Sequence, residues 1–195
     1  VLPDGRHAVS GGTDDVLKLW DLETGDCLAT YSGHASSVIA CAVSSNGQRI
    51  LTGSADGSVK LWELHPRPRD IEHLGHHGRV LCCAISSDGD RLLSGDVDGR
   101  LLIWDLATGT QQQELTGHTN AVLDCKFSAD GALAASASSD ETVRLWNIQA
   151  GEERSVLHGH TAFVRRCLFD QTGEYLISSS DDKTLRVWNV SDRKS

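Results

Sequence analysis

The sequence predicts an all-β protein made from copies of one four-stranded antiparallel unit. Three observations carry that prediction. All five tryptophans, Trp20, Trp62, Trp104, Trp146 and Trp188, fall 42 residues apart without insertion or deletion. Between them run short apolar or alternating stretches closed by Gly, Asn and Asp, the pattern of strands joined by tight turns, and no helical period interrupts it. A fixed period of this length means that each unit is a supersecondary module that buries its apolar faces only by stacking on its neighbours.

The module from His34 to His76 gives the reason for each element in order. Val38-Ile39-Ala40-Cys41-Ala42-Val43 is a short apolar run, strand a, closed by Ser45-Asn46-Gly47, where glycine accepts a positive φ at no steric cost. Arg49 to Ser54 is strand b, ended by Ala55-Asp56-Gly57. Ser58-Val59-Lys60-Leu61-Trp62-Glu63-Leu64 alternates at period two as strand c, and Asp70-Ile71-Glu72-His73-Leu74 alternates again as strand d before Gly75-His76. Radial stacking of such meanders into blades leaves only short edges. A parallel β-helix would need much shorter rungs and few reversing turns. The chain reads as one domain with repeat units at approximately 1–32, 33–74, 75–116, 117–158 and 159–195.

Composition bounds the function. The formal net charge is −9, from 27 acidic against 18 basic residues, which argues against bulk attraction to nucleic acid or to an anionic membrane. No apolar run is long enough to span a bilayer, and no secretory signal is visible. Cys41, Cys83, Cys125 and Cys167 keep the 42-residue period, with Cys27 and Cys82 outside it. Equivalent positions in stacked modules sit apart, so these thiols are expected to be small buried hydrophobes in a reducing, intracellular compartment rather than disulfides or metal ligands. No cofactor and no small-molecule substrate are expected. The lack of a basic localisation cluster favours cytoplasm over nucleus, the tail Arg193-Lys194 being too short to count. Methionine is absent even at position 1, and the chain opens inside a module, so it is expected to be a piece of a longer protein.

Further residues keep the same clock. Gly33-His34, Gly75-His76, Gly117-His118 and Gly159-His160 precede successive modules, Trp20-Asp21 and Trp104-Asp105 end two, and Trp62-Glu63, Trp146-Asn147 and Trp188-Asn189 end the others. Asp14, Asp56, Asp98, Asp140 and Asp182 occupy the b–c turn, and Ser10, Thr52, Ser94, Ser136 and Ser178 place a hydroxyl on strand b. In these residues the chain resembles the WD-repeat β-propellers over essentially its whole length. The resemblance implies blades that take strand d from one repeat and strands a, b and c from the next. On that rule four complete blades run from about 28 to 190, preceded by strands b and c of a fifth, in a propeller that usually closes with six to eight blades, most often seven.

The resemblance also implies a hydrogen-bonded network in each module. Its members are His34, Thr52, Asp56 and Trp62; His76, Ser94, Asp98 and Trp104; His118, Ser136, Asp140 and Trp146; and His160, Ser178, Asp182 and Trp188. The chemistry fits: indole only donates, carboxylate only accepts, and imidazole does either at each nitrogen. Ser54, Ser138 and Ser180 lie two residues beyond the strand-b hydroxyl on the same side and compete for its role. Because the set recurs in every module, it reads as a structural device rather than a hydrolase triad, which is built once from different elements.

Whatever recurs is explained by packing, so a binding surface is sought where the repeat breaks. The d–a loops differ, and on strand a the positions of Ile39 and Ala40 become Leu81-Cys82, Leu123-Asp124 and Arg165-Arg166. Arg79, Asn120, Asp124, Phe163, Arg165 and Arg166 are therefore the candidate protein-binding patch, with Phe163 standing where other modules have Ser37, Arg79 and Ala121. The competing reading pairs Asp124 and Lys126 with Arg166 or water along a solvated channel. His65-Pro66-Arg67-Pro68-Arg69-Asp70 replaces a short turn and reads first as a tolerated surface loop, with a second contact point as the alternative. The expected function is a non-catalytic scaffold or adaptor for proteins or peptides. The alternatives are the recognition arm of a larger enzyme, such as a signalling ATPase resembling apoptotic-protease activators or a ubiquitin-ligase substrate receptor, and a nucleic-acid or histone reader through Arg165-Arg166. No phosphate-binding Gly-x-x-x-x-Gly-Lys-Ser/Thr loop lies in the chain.

Overall fold

A computed structural model describes residues 1–64 and 71–191, with backbone alone for 71–74. The Pro-Arg segment at 65–70 and the Arg193-Lys194 tail lie outside the described residues. The described chain holds eighteen strands in five antiparallel sheets and no helix. None of it is a helix long and apolar enough to cross a membrane.

The first sheet is β1 (His7–Gly11), β2 (Val16–Asp21) and β3 (Cys27–Ser32). The second is β4 (Val38–Val43), β5 (Arg49–Ser54), β6 (Ser58–Glu63) and β7 (Ile71–Leu74); the third is β8 (Val80–Ile85), β9 (Arg91–Asp96), β10 (Leu101–Asp105) and β11 (Gln111–Leu115). The fourth is β12 (Val122–Phe127), β13 (Leu133–Ser138), β14 (Val143–Asn147) and β15 (Glu152–Leu157), and the fifth is β16 (Val164–Phe169), β17 (Tyr175–Ser180) and β18 (Leu185–Asn189). Each is a meander of sequential neighbours, the propeller-blade arrangement expected from the sequence.

The grouping of strands corrects the expected rule. Strand d closes the blade of the a, b and c strands that precede it: β3 pairs with β2, and β7 with β6. Three sheets are therefore complete and two have three strands, instead of four complete blades and a pair. The reason is local. A turn such as Asp21–Gly25, with Gly25 at φ 78° and its amide bonded to the Asp21 carbonyl, folds strand d straight back onto strand c. The d–a connection instead steps from the outer edge of one sheet to the inner edge of the next.

Apolar layers lie between successive sheets. Leu51, Leu61, Val80, Leu92 and Trp104 fill the interface of the second and third, and Leu101, Ile103, Val122, Cys125 and Trp146 that of the third and fourth. Cys83, Cys125 and Cys167 are buried as expected, whereas Cys41 is exposed. Burial pushes the Cys83 and Cys167 thiols up, which keeps them as packing groups rather than nucleophiles. Strand a carries a bulge at the same place in four sheets, so that Ile39, Leu81, Leu123 and Arg165 are each the extra residue.

Candidate functional site

The recurring polar residues meet as the period predicts in three of the four modules that open with a Gly-His step. In one, Trp146 Nε1 donates to Ser136 Oγ at 2.8 Å, Ser136 Oγ lies 2.7 Å from His118 Nε2, and His118 Nδ1 lies 2.8 Å from Asp140 Oδ2. The carboxylate only accepts, so Nδ1 carries the proton; in a neutral imidazole Nε2 then accepts from the hydroxyl, which accepts in turn from the indole. Every arrow runs from Trp to Ser to His to Asp. His160, Ser178, Asp182 and Trp188 repeat these contacts at 2.7–2.8 Å. His34, Thr52 and Trp62 do so at 2.7–2.8 Å, with Asp56 at 3.2 Å.

This chain of donors spans a blade from its d–a loop to its third strand, and the glycine before each histidine is part of it. A Cβ on Gly75 would overlap the Trp104 ring. The indole packs on the bare backbone there, leaving no room for a side chain. The alternative hydroxyls bond elsewhere: Ser54, Ser138 and Ser180 donate to the carbonyls of Ser36, Asn120 and Ala162 and accept the amides of Asp56, Asp140 and Asp182.

In the module of His76 the carboxylate is Asp96, not Asp98. His76 Nδ1 meets Asp96 Oδ2 at 2.7 Å, while His76 Nε2 and Trp104 Nε1 reach Ser94 Oγ at 2.7 and 2.8 Å. Asp96 stands where the other modules have Ser54, Ser138 and Ser180, and Arg100 stands where they have Ser58, Thr142 and Thr184. Those hydroxyls hold the turn carboxylates at 2.6–2.7 Å in the other three modules. Without one, Asp98 turns outward and is exposed, and the fully buried Asp96 accepts the Asp98 and Arg100 amides on its other oxygen. The sequence signal was the Ser-to-Asp exchange at 96 coupled to arginine at 100.

Burial raises the Asp56 carboxyl, but hydrogen bonds from the Ser58 hydroxyl and amide, the Ala35 amide and the His34 ring outweigh it and hold the group at about 2. Burial likewise opposes, and the His and Thr contacts dominate, at Asp140 and Asp182, which are held lower still.

The residues that break the repeat divide into separate groups. Phe163 is 44% exposed at the d–a rim, with the Arg165 guanidinium 5.4 Å from its ring centre. Arg165 forks onto Asp181 through Nε at 2.9 Å and Nη2 at 2.5 Å, and the Asp181 amide donates to the Phe163 carbonyl. Each charge stabilises the other, moving the arginine up and the aspartate down. Asp181 was not anticipated, although Ala55, Val97 and Ser139 at its equivalent positions mark it as another break.

Asp124 is buried, 3% exposed, and its contacts follow the competing reading, in which it pairs with Lys126 and Arg166. Its Oδ2 accepts the Cys167 amide at 3.1 Å, tying the fourth sheet to the fifth, and its Oδ1 lies 3.2 Å from Lys126 Nζ and 3.8 Å from Arg166. A buried carboxylate needs such partners. Arg166 is exposed and, with Asp124, Lys126, Leu81 and Leu123, lines a cavity of about 360 Å³ along the innermost strands. Arg79 and Asn120 are exposed on neighbouring d–a loops, Asn120 Oδ1 accepting the Ala121 amide. Among the described residues no group of three or more His, Cys, Asp or Glu side chains has the geometry of a metal site.

A family model described as WD domain, G-beta repeat matches residues 1–21, 25–63, 69–105, 109–147 and 151–189. Autophagy-related protein 16 of Arabidopsis thaliana is 43% identical to this chain over 44 residues, 23% of the chain and 9% of that protein. The match spans less than a tenth of the relative's length and about one repeat, so it carries the repeat and nothing larger.

Proposed function

The chain belongs to the WD domain, G-beta repeat family, and from that premise we propose that it is a non-catalytic platform that holds a protein partner on its d–a rim. Domains of this family are, in general, protein-interaction modules. The observation that carries the reading here is the Phe163–Arg165–Asp181 cluster. Blade packing explains His118 or Trp146, which recur; it does not ask for an exposed phenylalanine carrying a stacked, forked arginine. A rigid aromatic beside an ordered guanidinium is the kind of anchor that dominates interface energetics, because little side-chain entropy is left to lose on docking. Arg166 extends the cluster toward the central cavity, and Arg79 and Asn120 continue the rim on adjacent blades.

The recurring histidine, serine and aspartate sets are structural in this reading, each hydroxyl being committed to both an indole and an imidazole. The test is quantitative affinity capture with the double variant Phe163→Ala/Arg165→Ala, which removes only an exposed ring and a surface ion pair. Partner recovery falls at least tenfold while the melting temperature stays unchanged, since hot-spot anchors contribute about 2 kcal/mol or more each. Undiminished recovery would refute this surface.

A further inference from the structure

A second site lies on the opposite rim, where the a–b and c–d turns meet. Between the third and fourth sheets is a cleft of about 580 Å³, whose lining includes Arg91 and Asp88 from one sheet and Arg154, Asn147, Gln149 and Asp130 from the other. Neither arginine side chain has a hydrogen bond or ion pair with any described residue.

Comparison along the repeat explains why the Arg91 guanidinium makes no hydrogen bond of its own, although its charge acts on Asp88. Its counterpart Arg49 reaches the Gly89 carbonyl at 3.4 Å and lies 3.9 Å from Glu63. In the next module the shorter Asp105 replaces Glu63, and its carboxylate is already held by the Ala107 and Thr108 amides and by Gln112. Arg154 stands where other repeats have Leu28, Asp70 and Gln112, so blade packing does not require it. Two guanidinium groups from neighbouring sheets thus line one cleft with their donors unused.

The acidic members differ. Asp88 Oδ1 is bonded to Ser86 Oγ and the Asp90 amide, and Asp130 Oδ1 to Ser128 Oγ and the Ala132 amide; these contacts fix the turns and, with the Arg91 charge acting on Asp88, hold both carboxyls below their usual range. With two cations and two anions the cleft is formally neutral, so any preference among anions rests on geometry rather than net charge, and the two oxygens of a single carboxylate satisfy only one guanidinium fork. A tetrahedral dianion offers edges for two planar forks at once.

We propose that this cleft binds the phosphate of a phosphorylated serine or threonine on a partner protein. A lipid headgroup surface fits it less well. The chain carries a net charge of −9, and Glu152 and Glu153 flank Arg154 in the adjoining depression. A sheet of anionic lipid would meet those charges first, whereas one phosphorylated side chain reaches past them, and a basic neighbour in the peptide finds Glu152.

The test is titration calorimetry of the whole chain with acetyl-Gly-phosphoserine-Lys-amide, its unphosphorylated counterpart, inorganic phosphate, and phosphatidylserine vesicles. Saturable binding is expected for the phosphopeptide, weakened roughly tenfold by Arg91→Gln or Arg154→Gln and lost in the double variant. Arg91→Lys keeps the charge without the fork and falls between. Unchanged melting temperatures show that the variants fold. No saturable binding, binding unaffected by the double variant, equal affinity for inorganic phosphate, or vesicle binding as strong as peptide binding would each overturn the proposal.

Discussion

Replacing Asp96 and, separately, Asp98 by alanine separates the network described above from the one the 42-residue period implies. The Asp96 side chain is fully buried and accepts three hydrogen bonds, from His76 Nδ1 at 2.7 Å, the Arg100 amide at 2.9 Å and the Asp98 amide at 3.0 Å. Asp96→Ala strands the imidazole N–H among buried groups and leaves two turn amides to find water. A stranded buried polar group costs about 1–3 kcal/mol. The imidazole takes most of that range and the partly hydrated amides less, so the total is about 3–5 kcal/mol. Asp98 is exposed and makes no such contacts, so Asp98→Ala costs about 0.5 kcal/mol or less. Urea unfolding followed by indole fluorescence is the assay, since Trp104 shares the network. With a slope of about 2–3 kcal/mol per molar, Asp96→Ala lowers the midpoint by about 1–2 M and Asp98→Ala barely moves it. Equal shifts, or the reverse order, would refute the assignment.

Two further outcomes follow from the geometry. Asp56, at about 2, and Asp140 and Asp182, lower still, are depressed in the folded state. Their stabilisation is complete above the unfolded carboxylate range near pH 4 and is lost as pH falls through the folded values, so the urea midpoint declines steadily between about pH 4 and pH 2; a midpoint flat across that window contradicts the network. Asp124→Ala removes the acceptor of the Cys167 amide, and hydrogen exchange at that amide speeds up at least tenfold while amides of the second sheet keep their protection. Uniform acceleration would mean that the residue only contributes to global stability.

The architecture was legible because tryptophan, glycine-histidine and turn aspartate all keep one period, and a period reports packing that every module shares. In three complete networks the residues named by that clock are the ones in contact. The exceptions arise where two substitutions compensate: aspartate at 96 takes over the role left open when arginine at 100 replaces a hydroxyl, a coupling visible only once Ser54, Ser138 and Ser180 are aligned with it. Strand grouping was misread because a period has no phase, and only the short c–d turns decide which sheet strand d joins. The pairing of Asp124 with Lys126 and Arg166 was one of two readings open in the sequence, but its acceptor role was not visible there, because it depends on a backbone amide 43 residues away. At the rim, Phe163, Arg165 and Arg166 announced themselves by breaking the repeat, whereas Asp181, equally irregular, drew notice only through the fork it makes with Arg165.

In the proposed division of labour, recurring residues build the blades and irregular residues on the d–a rim meet the partner. Site-specific photo-crosslinking tests it most directly. A photoreactive phenylalanine analogue at position 163 is expected to give a discrete covalent adduct with a partner protein in cells, and the same analogue at exposed Thr24, on a c–d turn of the first sheet, to give none. Adducts of equal yield from both positions, or from Thr24 alone, would contradict it.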